Sequence, residues 1–280
     1  KGLLQGSTDL AGCSLCDSQR MAALGIEHIA GNPVTRLEPH QHRLQLADGQ
    51  WLDFAGLLLA TGGRARRWPV EQASVLYLRT HDEALALRDA LRPGTRLVVV
   101  GGGFIGLEVA ATARGLGCQV TVLEAGPRLA GRVLPPVISE ALLDLHRQQG
   151  VEVRLNVALE SIDADAVQLV DGQRLPCDRV VVGIGMQPNL ELAAAAGLEV
   201  GQGIRVDAQL RTSAPNIYAA GDVCEFRLGG LYQRQETWRN AEAQGRHAAL
   251  NMLGRELPFE AMPGFWSDPV SYTHLRAHET

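Results

Sequence analysis

The sequence predicts an α/β fold of two doubly wound units, and three observations carry that expectation. Leu97-Val98-Val99-Val100 is a short, continuously apolar run, the pattern of a strand covered on both faces. Gly101, Gly103 and Gly106 follow it on a G-x-G-x-x-G spacing and open a helical pattern. A hairpin followed by an apolar strand then occurs twice, with Asp-Gly turns at Asp48-Gly49 and Asp171-Gly172 lying 123 residues apart.

Each glycine of the fingerprint has a separate task. The first permits the tight turn, the second lets backbone approach a diphosphate, and the third lets helix pack on strand. Ile105, Val109, Ala113 and Leu116 form the apolar stripe expected of that helix, which Gly117 ends. Its N-terminus, Phe104 onward, would turn backbone N–H groups toward an anion. The second strand, Cys118 to Leu123, closes on Glu124, eighteen residues past Gly106, where a carboxylate can accept from a ribose 2′-hydroxyl. These are Rossmann-like features, and the acid favours NAD over NADP because it repels a 2′-phosphate. Arg128 and Arg132, just beyond it, count the other way, since an arginine can take that phosphate.

Composition bounds the function. The 280 residues, 46% hydrophobic and 20% charged, are ordinary for a soluble enzyme of more than one domain. A net charge of −5 argues against nucleic acid as a partner, and no stretch reaches a membrane-spanning apolar length. The five cysteines, an odd number, suit reduced thiols and a cytoplasmic location. Cys13-Ser14-Leu15-Cys16 has the spacing of a redox pair but lies far upstream of Gly101, so two incidental thiols are expected.

In chain order, the sequence predicts a loop to Cys16, a short helix to Gly25, short strands at 26–29 and 34–37, and the first hairpin at 44–52. Leu57-Leu58-Leu59 is then a buried strand closing on Ala60, Thr61 and Gly62. Helices follow at 84–91 and 139–149, the second hairpin at 167–175, and a strand at 180–182 leading to Gly183-Ile184-Gly185. A strand ending in Gly221-Asp222 and a helix from Trp238 to Leu253 complete the pattern. The repeat places a partner glycine fingerprint before Lys1, so the domain that carries the first hairpin is expected to lack its opening strand, glycine turn and helix.

Ala60-Thr61-Gly62, Gly101 to Glu108, Gly183 to Asn189, Thr212-Ser213 and Ala220-Gly221-Asp222 stand in the order used by two-dinucleotide flavoproteins. The chain resembles the FAD-dependent NADH:ferredoxin reductases within the pyridine nucleotide-disulfide oxidoreductase superfamily. Phe265-Trp266-Ser267-Asp268 resembles the opening of that group's C-terminal domain. The resemblance implies an FAD-binding domain at 1–80 and 205–257, an NAD-binding domain at 81–204 in the three-layer ββα arrangement, and a C-terminal domain beginning at 258–268. It implies FAD contacts from Lys1, Val34, Ala60, Thr61, Gly62, Arg79, Gly221, Asp222 and Trp238, where a turn-capping Asp222 and a core Trp238 are the plain alternatives. On the NAD side it implies Gly101, Gly103, Phe104, Ile105, Gly106, Glu108, Glu124, Arg132 and Gly185, with Glu108 otherwise an ordinary acid in a helix's first turn.

The function so implied is hydride transfer from NADH to FAD and single-electron delivery to a ferredoxin-type iron–sulfur protein of an oxygenase or P450 system, with no side chain acting as nucleophile or base. Alternatives on the same scaffold are the flavin domain of a nitrite reductase, a coenzyme A disulfide reductase, and a redox-controlled interaction module like apoptosis-inducing factor. Arg64, Arg66 and Arg67 are a candidate basic patch for an acidic partner, or simply a solvated loop. Residues 269–280 do not match the group and read as a non-native tail. His274 and His278 have helical ligand spacing but no third ligand, so no metal is expected.

Overall fold

The computed structural model describes residues 2–70, 74–260, 264–270 and 273–278, the last two segments by backbone alone. The chain divides into two compact units: Lys1–Asp17 with Ala65–Met186 and Trp266–Leu275, and Ser18–Arg64 with Gln187–Phe265 and Arg276–Thr280.

The first unit is built on a five-stranded parallel sheet. Its spatial order is Val75–Leu76, Arg179–Val182, Arg96–Val100, Gln119–Leu123, Glu152–Arg154. Leu97 to Val100 and Val180 to Val182 are all buried, as an apolar run in a central parallel strand requires. Each such side chain removed from water contributes roughly 1.5–3 kcal/mol. The helix Phe104–Gly115 crosses from Arg96–Val100 to Gln119–Leu123 and buries Gly106, Leu107, Val109, Ala110, Thr112 and Ala113. Ile105 is therefore not part of the buried stripe. It is 52% exposed, because the face that meets the sheet starts one residue later.

Helix His81–Ala90 begins with a capping box in which Thr80 Oγ1 accepts from Glu83 N–H and the Glu83 side chain accepts from Thr80 N–H. Residues 2–5, expected as loop, form a helical turn, Gly2–Gln5, that packs on His81–Ala90 through buried Leu4. A three-stranded antiparallel sheet, Leu159–Ile162, Ala166–Leu169 and Arg174–Pro176, lies beyond the parallel one. Gly172 takes φ +88° in its Asp-Gly turn.

The second unit repeats that motif. Val34–Glu38, Arg43–Leu46 and Trp51–Asp53 form an antiparallel sheet, with Gly49 at φ +90° in the matching turn. Leu57–Leu59 pairs in parallel with Ile217–Ala219, and Leu59, Ile217 and Ala219 enter a core with Leu37, Ile204, Leu210 and Phe226. Helix Trp238–Met252, capped by Thr237, closes this unit. The strand expected at 26–29 is absent: helix Ser18–Ala23 is followed by a turn at Leu24-Gly25, and the next strand begins at Val34. Thr273–His278 is a strand, so the spacing of His274 and His278 does not fall on a helix.

Candidate dinucleotide site

The sheet order of the first unit creates its crevice. The chain runs from Arg96–Val100 outward through Gln119–Leu123 to Glu152–Arg154, then returns to the other side of Arg96–Val100 as Arg179–Val182. The switch point is thus at the carboxyl ends of Val100 and Val182, where ligands of open α/β sheets bind. Gly101 and Gly183 meet there. Gly183 N–H donates to Val100 O at 2.8 Å, and a Cβ on Gly101 would strike the Gly183 carbonyl.

The fingerprint glycines serve different masters. A Cβ on Gly106 would collide with the Gly101 carbonyl, so this glycine lets the helix start directly against the turn. Gly102, the intervening residue, is also constrained: a Cβ there would come 2.6 Å from Leu129 Cδ2 and 3.0 Å from Glu124 Oε2. Gly103 differs, because no described atom lies within 4 Å of the place its Cβ would occupy, and its φ of −80° suits any residue. The protein's own packing does not demand glycine there. A glycine there leaves the backbone at the start of the helix open to close approach by an anion.

Glu124 lies half-buried at the end of its strand. Its Oε2 accepts from Gly102 N–H at 2.6 Å and its Oε1 from Gly126 N–H at 2.7 Å. Each oxygen retains a lone pair for a ribose hydroxyl. Sequence reading placed the acid but missed its hold on the glycine turn, for which Gly102, the middle of three consecutive glycines, was the available sign. The next loop folds back over the turn: Ala130 N–H donates to Gly102 O at 2.8 Å, and Leu129 is buried. Arg132 is exposed, with Nη2 3.9 Å from the position of a Cβ on Gly185. Ile105 and Glu108 line a shallow pocket with Leu4, Leu78, Val109 and Thr112. Thr112 Oγ1 is buried there without a hydrogen-bond partner among the described residues.

In the second unit, Ala60-Thr61-Gly62 is sewn to Asn189. Thr61 Oγ1 donates to Asn189 O at 2.9 Å, Asn189 Nδ2 to Thr61 O at 2.8 Å, and Asn189 N–H to Gly62 O at 3.0 Å. Gly221-Asp222 is held through Gln244, a fully buried residue that sequence reasoning did not single out. Gly221 N–H donates to Gln244 Oε1 at 2.8 Å, which turns Nε2 away as a buried donor with no partner among the described residues. Arg234 Nη1 donates to Asp222 O at 3.0 Å. Trp238, first in its helix, is 53% exposed, so the core alternative for it does not hold. Val34 is exposed at the start of its strand, and Arg79 N–H donates to Glu83 Oε2 in the first unit. Lys1 lies outside the described residues, as do the side chains of Phe265 to Asp268.

Two of the three clustered arginines are paired. Arg64 bonds Asn189 Oδ1 and Glu191, while Arg67 meets Glu83 and stacks over Tyr77. All five cysteines are free, with Cys118, Cys177 and Cys224 buried. Burial pushes the Cys177 thiol up to about 11 and the Cys224 thiol up to about 12. Among the described residues no cluster of His, Cys, Asp and Glu could hold a metal, and no helix is long and apolar enough to cross a membrane.

Comparison with known proteins gives a consistent result. Residues 2–245 match the model of the pyridine nucleotide-disulphide oxidoreductases. The ferredoxin–NAD(+) reductase component of a p-cumate 2,3-dioxygenase system from Pseudomonas putida is 41% identical over 85% of this chain and 60% of its own length. Putidaredoxin reductase from the same organism is 39% identical over 96% of this chain and 67% of its own. The chain thus spans about 60–67% of the length of these relatives. The crystal structure of the covalent putidaredoxin reductase–putidaredoxin complex superposes with a TM-score of 0.91 at 38% identity, covering 97% of this chain and 69% of that one. A ferredoxin reductase from Rhodopseudomonas palustris gives 0.92 at 40% identity, covering 96% and 69%. By sequence and by fold the chain belongs to the pyridine nucleotide-disulphide oxidoreductase family, alongside the ferredoxin–NAD(+) reductases.

Proposed function

We propose that this chain is the dinucleotide-binding part of a cytoplasmic, FAD-dependent NADH:ferredoxin oxidoreductase serving an oxygenase or P450 system. The observation that carries the reading is the first unit's crevice, where Gly103 is free of packing constraint at the start of the helix Phe104–Gly115 and Glu124 ends the adjacent strand. In that crevice the backbone from Gly103 to Ile105 would take a diphosphate, and Glu124 would accept from the ribose 2′-hydroxyl. Arg132 and Gly185 would border the bound coenzyme, and Ile105 with Glu108 would shape the nicotinamide end.

In the second unit, buried Gln244 accepts from Gly221 N–H and so fixes the Gly221-Asp222 turn. Asp222, Gly221, Thr61, Gly62, Ala60, Val34 and Trp238 are the residues of this unit proposed to hold FAD. A bound FAD supplies the conversion of a hydride's electron pair into single electrons. The chain's own residues bind and orient, so no general base is required. Support for an iron–sulfur partner comes from the relatives' names, which are those of ferredoxin–NAD(+) reductases. The buried free thiols support a reducing, cytoplasmic setting.

The test is titration of the purified chain with NADH and with NADPH. Binding of NADH in preference to NADPH supports the reading. Failure to bind either dinucleotide refutes it.

A further inference from the structure

Arg128 stands four residues past the acid, where an arginine can be taken for a phosphate ligand. The structure gives its guanidinium another occupation. Nη1 donates to Leu134 O at 2.9 Å and Nη2 donates to Gly131 O at 3.0 Å, so both ends of the fork are engaged by main-chain carbonyls of the loop it belongs to. A Cβ on Gly131 would lie 3.3 Å from Arg128 O and 3.6 Å from Arg128 Cβ, which shows how closely the loop is wound around this side chain. The same loop is anchored to the crevice at three points: Gly126 N–H on Glu124 Oε1, Ala130 N–H on Gly102 O, and Leu129 packed where Gly102 has no side chain. Ala130 holds φ +47°, a conformation an alanine keeps only when its surroundings fix it.

We propose that Arg128 is a positioning residue for coenzyme binding: it braces the loop from Gly126 to Leu134 against the glycine turn and, being so engaged, is withheld from a coenzyme's 2′-phosphate. This rests on the dinucleotide reading of the crevice and adds to it the way coenzyme choice is set. To bind a 2′-phosphate, Arg128 would have to leave two carbonyl oxygens of its own loop, and the loop that holds Glu124 and Gly102 would lose its brace. Selectivity therefore falls to the Glu124 carboxylate. Lysine cannot replace the arginine here, because a single ammonium does not span two carbonyls as a planar fork does.

The experiment uses the purified chain and two probes titrated by calorimetry, ADP-ribose and 2′-phospho-ADP-ribose. The parent is expected to bind ADP-ribose more tightly. Arg128→Gln and Arg128→Lys should each weaken both probes by the same factor, about tenfold, the size of one or two lost hydrogen bonds, and leave the preference between them unchanged. Arg128→Ala should regain affinity on addition of guanidinium ion and not of sodium ion, a rescue that general destabilisation does not give. Loss confined to 2′-phospho-ADP-ribose would make Arg128 a direct phosphate ligand and overturn the proposal. Unchanged affinity for both probes in all three variants would overturn it as well. A parent that binds neither probe would refute the dinucleotide reading itself, a result distinct from either of those.

Discussion

Glu124 Oε2 accepts from Gly102 N–H at 2.6 Å, which joins the end of the acid's strand to the glycine turn of its neighbour. The carboxylate thus has two duties, holding the turn and meeting a ribose hydroxyl. Glu124→Ala should leave Gly102 N–H and Gly126 N–H without acceptors and lower the melting temperature, at about 1–3 kcal/mol for each stranded donor. It should also weaken NADH binding by on the order of tenfold or more and narrow the gap between NADH and NADPH. Titration of both coenzymes checks this. A parent that already prefers NADPH would show that the acid has been misassigned.

Gly103 and Gly106 carry the same motif but should respond oppositely to one methyl group. Gly106→Ala puts a Cβ into the Gly101 carbonyl and is expected to destabilise the first unit severely. Gly103→Ala meets no described atom within 4 Å and should leave the thermal unfolding profile near the parent's while abolishing measurable NADH binding. Equal stability losses in the two variants would show that both glycines serve packing.

The cysteines should divide into two reactivity classes. Cys13 is exposed and Cys16 half-exposed, whereas Cys118, Cys177 and Cys224 are buried. An aromatic disulfide reagent at mild alkaline pH is expected to consume the first two quickly and the other three only on unfolding. The raised thiols also tie stability to alkaline pH. In the unfolded chain they ionise near 9.0, but folded Cys177 and Cys224 hold their protons to about 11 and about 12. Between those values the native state binds more protons, so stability should fall as pH rises above about 9. Urea midpoints measured at rising pH, compared with those of Cys177→Ala, check the sign.

Asn189 bridges the Ala60-Thr61-Gly62 turn to the segment that follows Met186. Its side chain donates to Thr61 O at 2.8 Å and accepts from Arg64 Nη1 at 2.7 Å. These bonds are solvent-exposed, so Asn189→Ala should cost only about 1–2 kcal/mol. Thr61→Val, which removes a bond to Asn189 O, should cost less than additively in combination with it. A urea denaturation cycle on the two single variants and the double variant measures the coupling.

Local pattern alone was enough for the parallel strands Arg96–Val100, Gln119–Leu123 and Arg179–Val182, the glycine helix, both Asp-Gly hairpins and the place of Glu124 at its strand's end. Each announces itself through backbone constraint or through a run of apolar side chains covered on both faces, whereas the edge strand Val75–Leu76 is too short to show such a pattern. The strand expected at 26–29, Ile26-Glu27-His28-Ile29, failed because four residues without a partner strand have nothing to pair with. Ile105 was assigned to the buried stripe because helical spacing fixes which residues share a face, but not where that face begins to meet the sheet.

What only the tertiary structure decided is how groups distant in sequence meet. The middle glycine, Gly102, hints at a tight turn, but no local signal tells that it is held open for Glu124 and Leu129 in particular, or that Gly103 alone among the fingerprint glycines owes nothing to packing. Nor does any tell that Arg128 spends its guanidinium on Gly131 and Leu134, or that buried Gln244 turns its oxygen to Gly221. Sequence fixes residue type and spacing along one chain, and from these follow the elements and the family. Hydrogen-bond partners and steric limits are set by distances across strands and loops, which exist only once the sheet order brings Val100 and Val182 side by side.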